Sequence, residues 1–202
     1  VRRDFAAQRT KAEARAQLGL KDGGTYVLLS GGSIGAGQMA GTVAVLERFL
    51  LDRRDCRLLV LCGKNRGLYK KLRRKYAENR QIQVMESTPH MALYLKACDL
   101  FITKPGGLSS TEAAVSGIPL IHISPIPGCE QRNAEYFLQH GMSVFAANPK
   151  KELLPALSAL QKDGAMREMA GAQKRWVDPR AAAKLCDHIE RSAAARLRLN
   201  GE

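Results

Sequence analysis

Five short apolar runs alternate with helical segments along the chain, and this alternation limits the fold more than any other sequence feature. The runs cover residues 26–30, 57–62, 82–85, 100–103 and 119–123. Apolar spacing predicts helices at about 36–50, 65–78, 89–97, 109–116 and 131–140. Strands joined through helices pair in parallel, and runs that are apolar throughout are typical of strands covered on both faces. We therefore expect an α/β fold, a three-layer α/β/α sandwich with a parallel sheet of about six strands.

The same pattern divides the chain into three parts. We assign residues 1–22 to a linker and lead-in helix, 23–175 to a Rossmann-like domain, and 176–202 to a C-terminal helix. The segment from about 149 to 198 is rich in Ala, Leu, Lys and Arg, which predicts two or three helices. Because the chain begins with Val1 rather than Met, we expect it to be a piece of a longer protein.

Charge and cysteine content narrow the class of function. The chain has 32 Lys and Arg against 19 Asp and Glu, so its formal net charge is +13. Such a surface favours an anionic partner, which is a nucleic acid, a phosphorylated substrate or an acidic lipid surface. The five cysteines include no C-x-x-C pair, which favours free thiols in a reducing, cytoplasmic compartment. No apolar run approaches the roughly 18 residues of a membrane span. No His or Cys pair has the spacing of metal ligands, so we expect no metal cofactor.

Basic residues crowd the predicted helix 65–78. Its apolar face is formed by Leu68, Tyr69, Leu72 and Tyr76. The rest of the helix carries Arg66, Lys70, Lys71, Arg73, Arg74 and Lys75, opposed by Glu78. A solvated helix face explains this pattern, and so does an electrostatic dock for an anionic membrane. Nucleic-acid binding is the weaker alternative, because no RRM, KH or helix-turn-helix pattern is present.

Glycines follow the first strand, at the edge where a doubly wound sheet binds its ligands. Residues 31–37 are Gly-Gly-Ser-Ile-Gly-Ala-Gly. Such a turn brings the backbone close to a ligand, and the free N–H groups of a helix start suit a phosphate or diphosphate. An ordinary turn capped by Ser33 is the alternative. A nicotinamide site is disfavoured because the second strand is not followed by an acidic residue, and no P-loop sequence occurs.

A second candidate loop follows the fourth strand. Residues 104–112 are Lys-Pro-Gly-Gly-Leu-Ser-Ser-Thr-Glu, so two glycines again precede a helix. Ser109 and Glu112 have the spacing of a capping box. Glu112 therefore either caps the helix or accepts hydrogen bonds from the two hydroxyls of a ribose.

A third candidate loop follows the fifth strand. Residues 124–133 are Ser-Pro-Ile-Pro-Gly-Cys-Glu-Gln-Arg-Asn, in which Pro-Gly predicts a stiff turn. Glu130 and Asn133 then share one face of the first turn of the next helix. They either cap that helix or contact the hydroxyls of a sugar.

Through these three loops the chain resembles the C-terminal, donor-binding domain of a GT-B glycosyltransferase. The matching motifs are Gly-Gly-Ser-Ile-Gly-Ala at 31–36, Lys-Pro-Gly-Gly-Leu-Ser-Ser-Thr-Glu-Ala at 104–113 and Pro-Ile-Pro-Gly-Cys-Glu-Gln-Arg-Asn-Ala at 125–134. The family contains processive diacylglycerol glucosyltransferases, monogalactosyldiacylglycerol synthases and the lipid II-forming N-acetylglucosaminyltransferase. The Lys-Pro-Gly-Gly motif resembles the diacylglycerol enzymes more than the lipid II enzyme. The implied fold is one half of a GT-B fold.

The resemblance implies a UDP-sugar donor and a set of residues around it. Gly32, Ser33 and Gly35 would face the diphosphate, and Thr88 and Met91 would wall the uracil. Gly107, Leu108 and Ser109 would line the nucleotide, Glu112 would bind the ribose, and Glu130 and Asn133 would meet the hexose or adjoining phosphate. Gly106, Gly128 and Gln131 complete the implied donor-binding set.

The family transfers a sugar from UDP to an acceptor hydroxyl, so the implied activity is transfer of glucose or galactose to diacylglycerol. Its general base and acceptor site lie on an N-terminal domain, and we find no second Rossmann unit in this sequence. We therefore assign no catalytic residue here and expect the chain to bind UDP but transfer nothing alone. We expect a UDP-sugar and a lipid acceptor as partners, and we expect no nucleic acid. The expected location is the cytoplasm, peripheral at the membrane. A lipid II-type domain, a nicotinamide-binding domain and a nucleic-acid-binding module stay open as alternatives.

Overall fold

A parallel sheet forms the centre of the molecule. The computed structural model describes residues 1–35 and 37–199, with side chains as far as residue 193. The strands in these ranges are β1 (Thr25–Ser30), β2 (Cys56–Leu61), β3 (Ile82–Met85), β4 (Leu100–Thr103), β5 (Leu120–Ile123) and β6 (Val144–Ala146). They pair in the order β3-β2-β1-β4-β5-β6, and every pairing is parallel. The predicted parallel sheet of about six strands is confirmed, and β6 supplies the strand that the five apolar runs did not include.

Helices connect the strands and extend beyond the sheet. A 3₁₀ turn at Arg3–Ala6 precedes the helices of the described ranges, which are α1 (Lys11–Gln17), α2 (Met39–Leu50), α3 (Arg66–Lys75), α4 (Met91–Ala97), α5 (Gly107–Ser116), α6 (Cys129–Gln139), α7 (Pro149–Leu160), α8 (Ala165–Trp176) and α9 (Ala181–Leu199). The tail predicted to hold two or three helices therefore contains three. Helix α2 packs on α7, and α4 packs on α1 and α5.

The sheet is buried on both faces, as apolar strands require. One row across neighbouring strands runs Leu59–Leu28–Phe101–Leu120, and the next runs Val60–Leu29–Ile102–Ile121. All eight side chains are buried. Because successive residues of a strand point to opposite faces, these two rows lie on opposite sides of the sheet. Burial of both rows shows that helices cover both faces, which confirms the three-layer arrangement.

Residues before β1 pack against the rest of the molecule. Phe5 is fully buried in the main core. The buried guanidinium of Arg15 on α1 donates to Ala97 O at 3.0 Å and to Asp99 Oδ2 at 2.9 Å. Asp99 Oδ2 also accepts the Tyr26 amide at 2.7 Å, which ties α1 to the start of β1. The segment assigned to a linker and lead-in helix is thus docked onto the domain, while the domain boundaries themselves stay a prediction.

Glycines move the starts of three helices away from their predicted positions. Helix α2 begins at Met39 rather than at 36, because Gly35 and Gly37 have φ of 60° and 90°, values outside the helical region. Helix α5 begins at Gly107 rather than at 109, with Gly106 at its N-cap. Helix α6 likewise begins at Cys129 rather than at 131, directly after Gly128. Glycine at these junctions replaces the side-chain caps that sequence patterns use to place a helix start.

We expect Gly63→Ala to unfold more easily than Gly117→Ala. Both glycines have left-handed φ, 62° and 70°, so each substitution costs about 1 kcal/mol of backbone strain. A Cβ on Gly63 would lie 2.5 Å from Gly32 O, whereas a Cβ on Gly117 meets open space. Since backbone must shift to relieve that contact, Gly63→Ala should lose about 1–3 kcal/mol more in the free energy of unfolding, measured by urea denaturation. Equal losses in the two variants would contradict this close approach.

Candidate functional site

A cavity of about 500 Å³ opens at the carboxyl edge of the sheet, beyond the ends of β1, β2 and β4. β1 and β4 are neighbours in the sheet although β2 and β3 lie between them in the chain. The strand order therefore reverses at this point, and open α/β sheets bind ligands in the crevice that such a reversal leaves. A second cavity of about 410 Å³ lies at the opposite, amino edge, near Thr25, Cys56 and Leu100. The fold places the candidate site at the carboxyl edge.

The carboxyl-edge cavity brings together residues from the four loops that follow β1, β2, β3 and β4. The predicted donor-binding residues that line it are Gly32, Ser33, Thr88, Met91, Gly106, Gly107, Leu108, Ser109 and Glu112. The predicted residues that do not line it are Gly35, Gly128, Glu130, Gln131 and Asn133. The glycine turn after β1 and the start of α5 therefore form the cavity, whereas the loop before α6 lies behind it.

The turn after β1 is held in shape by its own hydrogen bonds. Gly32 N donates to Ser30 Oγ at 3.2 Å, and Gly35 N donates to Gly32 O at 3.1 Å. A Cβ on Gly35 would lie 2.0 Å from Cys62 O and 2.7 Å from Asn65 Cβ. The expectation that Gly35 faces a diphosphate stays a prediction, to which this geometry adds no support. The Gly35 amide already donates to Gly32 O. The absence of a side chain on Gly35 lets the loop after β1 pack against the loop after β2.

The start of α5 presents unpaired backbone amides to the cavity. Gly106 is the N-cap residue, and no side chain caps this end of the helix. The first N–H groups of any helix lack acceptors within that helix. Together with the helix dipole they form a region of positive potential that suits an anionic group. Because Gly106 and Gly107 carry no side chains, a ligand can approach these amides closely.

Glu112 projects into the cavity without a hydrogen-bond partner among the described residues. The predicted capping box at Ser109 and Glu112 is wrong, because α5 begins at Gly107 and Ser109 lies inside the helix. Partial burial raises the pKa of the Glu112 carboxyl above its ordinary value, and Arg2 opposes this shift. A carboxylate that is half-buried and unpaired can accept hydrogen bonds from a ligand that enters the cavity.

Glu130 and Asn133 bind protein groups rather than facing the cavity. Glu130 is buried, forms an ion pair with Lys104, and accepts the Ile126 amide at 2.9 Å through Oε2. Asn133 Nδ2 donates to Pro105 O at 3.0 Å. These contacts fasten the start of α6 to the loop that follows β4. The expected contact of both side chains with a hexose stays a prediction, and in this structure they support the cavity wall.

Two other predicted residues near α6 also lie outside the cavity. Gln131 is exposed, and its Nε2 donates to Glu135 Oε1 at 3.2 Å along the same helix. Gly128 is the N-cap residue of α6 with φ of 99°, so it has a conformational role. Their assignment to a donor site gains no geometric support.

Several residues that line the cavity are not among the predicted donor-binding residues. They are Ser30, Ile34, Leu61, Gly63, Ser87 and Lys104. Lys104 is the cationic side chain among the described lining residues, and it belongs to the Lys-Pro-Gly-Gly motif directly after β4. Its position in that motif was a usable signal. The others depend on which loops meet in space, which a linear pattern does not encode.

The histidines and cysteines lie apart from the cavity lining. Burial lowers the pKa of His122 to about 3, so its ring is neutral, and it hydrogen-bonds to Ser110 Oγ at 2.9 Å and Ser143 Oγ at 3.1 Å. His90 is exposed at the start of α4. The five cysteines are free, as expected. Cys56, Cys62 and Cys98 are buried, whereas Cys129 and Cys186 are exposed.

The part of the chain that the structure describes holds neither a metal-ion cluster nor a membrane-spanning helix. No group of three or more His, Cys, Asp or Glu side chains there is arranged to hold a metal ion. No described helix combines the length and apolarity that crossing a membrane requires. The expectation that the site needs no metal stays a prediction.

Two relatives of known activity are similar to this chain over only part of their own length. The processive diacylglycerol beta-glucosyltransferase of Staphylococcus carnosus (strain TM300) is 29% identical over 144 residues, which are 71% of this chain and 36% of that protein. The enzyme of the same name from Staphylococcus aureus (strain Newman) is 31% identical over 127 residues, 63% of this chain and 32% of that protein. The chain therefore spans about a third of the length of these curated relatives.

Solved structures share the fold across most of the chain. Acinetobacter baumannii MurG superposes with a TM-score of 0.69 at 21% identity, covering 93% of this chain and 55% of that one. S. aureus MnaA, in a co-structure with UDP, has a TM-score of 0.71 at 13% identity, covering 93% and 50%. Anabaena Alr3699/HepE, in complex with UDP and glucose, has a TM-score of 0.66 at 13% identity, covering 96% and 52%. At these identities the likeness confirms the fold.

The family model for the glycosyltransferase family 28 C-terminal domain matches residues 26–182. That match runs from β1 into α9 and contains the whole sheet together with all three loops at its carboxyl edge. The chain belongs to the glycosyltransferase family 28 C-terminal domain family.

Proposed function

We propose that the carboxyl-edge cavity binds a UDP-sugar, and that the longer enzyme transfers its glucose or galactose to diacylglycerol. The observation that carries the proposal is the uncapped start of α5, which shares one cavity with the glycine turn after β1 and the unpaired Glu112. Support for the donor comes from the UDP in the MnaA and HepE structures. Support for the acceptor comes from the curated relatives, which are named as diacylglycerol glucosyltransferases.

The cavity offers a matching group for each part of UDP. The amides at the start of α5 and the turn around Gly32 and Ser33 suit the diphosphate, because they present positive backbone potential. The Glu112 carboxylate suits the ribose, since one carboxylate can accept hydrogen bonds from two neighbouring hydroxyls. Thr88 lies just before α4, and Met91 is the first residue of that helix. Together they form an amphipathic wall for the uracil ring.

The proposed reaction is displacement at the anomeric carbon of the sugar. An acceptor hydroxyl oxygen forms a bond to that carbon, and the bond from the carbon to the β-phosphate oxygen breaks. The electron pair stays on the departing UDP, and the hydroxyl proton passes to a base on the N-terminal part of the enzyme. Preorganised amides stabilise the charge that develops on UDP, which is often the largest contribution to catalysis. This domain thus supplies donor binding and leaving-group stabilisation.

We expect the 202-residue chain to bind UDP and the cognate UDP-sugar, and to show no transfer activity alone. Isothermal calorimetry with UDP, UDP-glucose, UDP-galactose and UDP-N-acetylglucosamine measures the affinity and identifies the sugar. EDTA should leave the UDP affinity unchanged, because the groups proposed to bind the diphosphate are backbone amides and side chains of the protein.

Three results would count against the proposed function. The first is no heat of binding with any uridine nucleotide while NADH binds. The second is a salt-dependent shift with DNA and no UDP binding. The third, which would overturn only the assignment of roles to the two domains, is glucosyl transfer to diacylglycerol by the isolated chain.

We expect Glu112→Gln to weaken UDP binding by about tenfold and to stabilise the unliganded domain at neutral pH. The loss follows because a charged acceptor is replaced by a neutral one. The stabilisation follows because the pKa of Glu112 is raised on folding, so the folded state carries an unfavourable charge above that pKa. For the same reason, UDP affinity of the unsubstituted chain should fall on acidification at a higher pH than an ordinary glutamate would produce.

The matched control is Glu78→Gln, which removes the same charge from an exposed position distant from the cavity. Calorimetry gives the affinities and urea denaturation gives the stabilities. If both variants bind UDP equally well, Glu112 does not contact the ribose.

We also propose that α3 docks the domain on an anionic membrane. Its buried residue Leu72 faces the core, which leaves Arg66, Lys70, Lys71, Arg73 and Arg74 exposed on the opposite side. Each basic residue near an anionic surface contributes about 1 kcal/mol. A diacylglycerol acceptor lies in a membrane, so such a dock would hold the enzyme beside its substrate.

We expect the triple variant Lys70→Glu, Lys71→Glu and Arg74→Glu to lose sedimentation with phosphatidylglycerol vesicles. Arg167→Glu, Lys174→Glu and Arg175→Glu on α8 change the net charge equally at exposed positions and serve as the control. Equal loss in both triple variants would show that net charge alone, not α3, governs binding.

A further inference from the structure

We infer that Lys104 recognises the diphosphate of the donor and that Glu130 positions its ammonium group for this purpose. The inference rests on the proposed function, because it names the residue that reads the charge of the ligand. It also changes the role of Glu130 from a sugar contact to a support for Lys104.

Lys104 stands between the two elements that would bind the diphosphate. Thr103, the last residue of β4, lies in register with Ser30, the last residue of β1, so the loops that follow are side by side. Lys104 Cε lies 3.1 Å from the position that a Cβ would occupy on Gly32. Its Nζ lies 3.7 Å from the corresponding position on Gly106. The side chain therefore bridges the glycine turn and the start of α5.

The surroundings of Lys104 make its charge effective. Among the described residues that line the cavity, Lys104 carries the positive charge and Glu112 the negative one. The Lys104 side chain is only 14% exposed. A charge that is largely removed from water acts more strongly on a nearby ligand than a surface lysine does. Glu130 balances part of this charge but lies outside the cavity lining, so a diphosphate placed against the Gly32 turn would meet the ammonium first.

Glu130 fixes the ammonium at this position. Its side chain is 8% exposed, one carboxylate oxygen pairs with Lys104, and the other accepts the Ile126 amide at 2.9 Å. Both oxygens are occupied, so Glu130 is held from two sides. An ammonium has three donors, and the pair with Glu130 uses one of them. The remaining donors are available to phosphate oxygens.

A purely structural role for the ion pair is the competing explanation. The pair joins the loop after β4 to the loop before α6, so losing it could disturb the cavity without any contact to the ligand. Two substitutions separate these roles, because Lys104→Met and Glu130→Gln both break the ion pair but only the first removes the cation. A structural role predicts the same effect on every ligand, whereas charge recognition predicts an effect that grows with the number of phosphates.

The test compares uridine, UMP and UDP as ligands of the unsubstituted chain and its variants. Calorimetry gives the affinities directly, and competition against UDP gives those of weaker ligands. Lys104→Met should weaken UDP by at least about tenfold, UMP by less, and uridine by no more than about twofold. Lys104→Arg should keep the UDP-to-uridine affinity ratio within about threefold, because it keeps a cation beside Glu130. Glu130→Gln should lower that ratio by a factor between those of Lys104→Arg and Lys104→Met, because the cation stays but its support is lost. Lys162→Met, at an exposed position between α7 and α8, controls for net charge and should change nothing.

The outcomes separate this inference from the proposed function. If Lys104→Met weakens all three ligands by one common factor, or if Glu130→Gln leaves the UDP-to-uridine ratio unchanged, the inference is overturned while the donor site stands. If Lys104→Met does not fold, loss of the UDP-to-uridine ratio in the folded Lys104→Arg variant would overturn it as well. If the unsubstituted chain binds none of the three ligands, the proposed function fails first.

Discussion

The parallel pairing of β1 with β4 is the constraint on which the rest of this structure depends. It joins two strands that are far apart in the chain, and it aligns Ser30 with Thr103 at the carboxyl edge. The glycine turn, the start of α5 and Lys104 are neighbours only because of that register. The pairing is held by the core, where Leu28 packs in one row with Leu59 and Phe101. Burial of apolar strands therefore positions the polar site above them.

Two features of the candidate site lower the stability of the unliganded protein and keep polar groups oriented for a ligand. Glu112 is partly buried without a partner, and its raised pKa records the cost of that placement. The Lys104–Glu130 pair is buried, and removing two charges from water is expensive unless their geometry is well supported. Both features are typical of sites whose polar groups are oriented before a ligand binds. Preorganisation lowers the reorganisation needed when the ligand arrives.

Some parts of the site could be predicted from the sequence, and others could not, for identifiable reasons. Gly32 and Gly107 were found because glycines directly after a strand have few roles other than close backbone approach. Ser109 was misjudged because the capping-box rule uses only local spacing, and it cannot detect that Gly106 takes the cap position three residues earlier. The contacts of Glu130 with Lys104 and with the Ile126 amide could not be predicted, because the fold creates them between separate loops.

The sequence by itself determined the parallel α/β architecture, the edge of the sheet where the site lies and the loops that form it. It did so because strand burial and glycine turns are local properties, written in short stretches of chain. Only the tertiary structure decided which side chains face the cavity: Lys104 and Glu112 do, while Glu130 and Asn133 turn to protein partners. That choice depends on distances between loops that are more than twenty residues apart, and the packing of the whole sheet sets those distances.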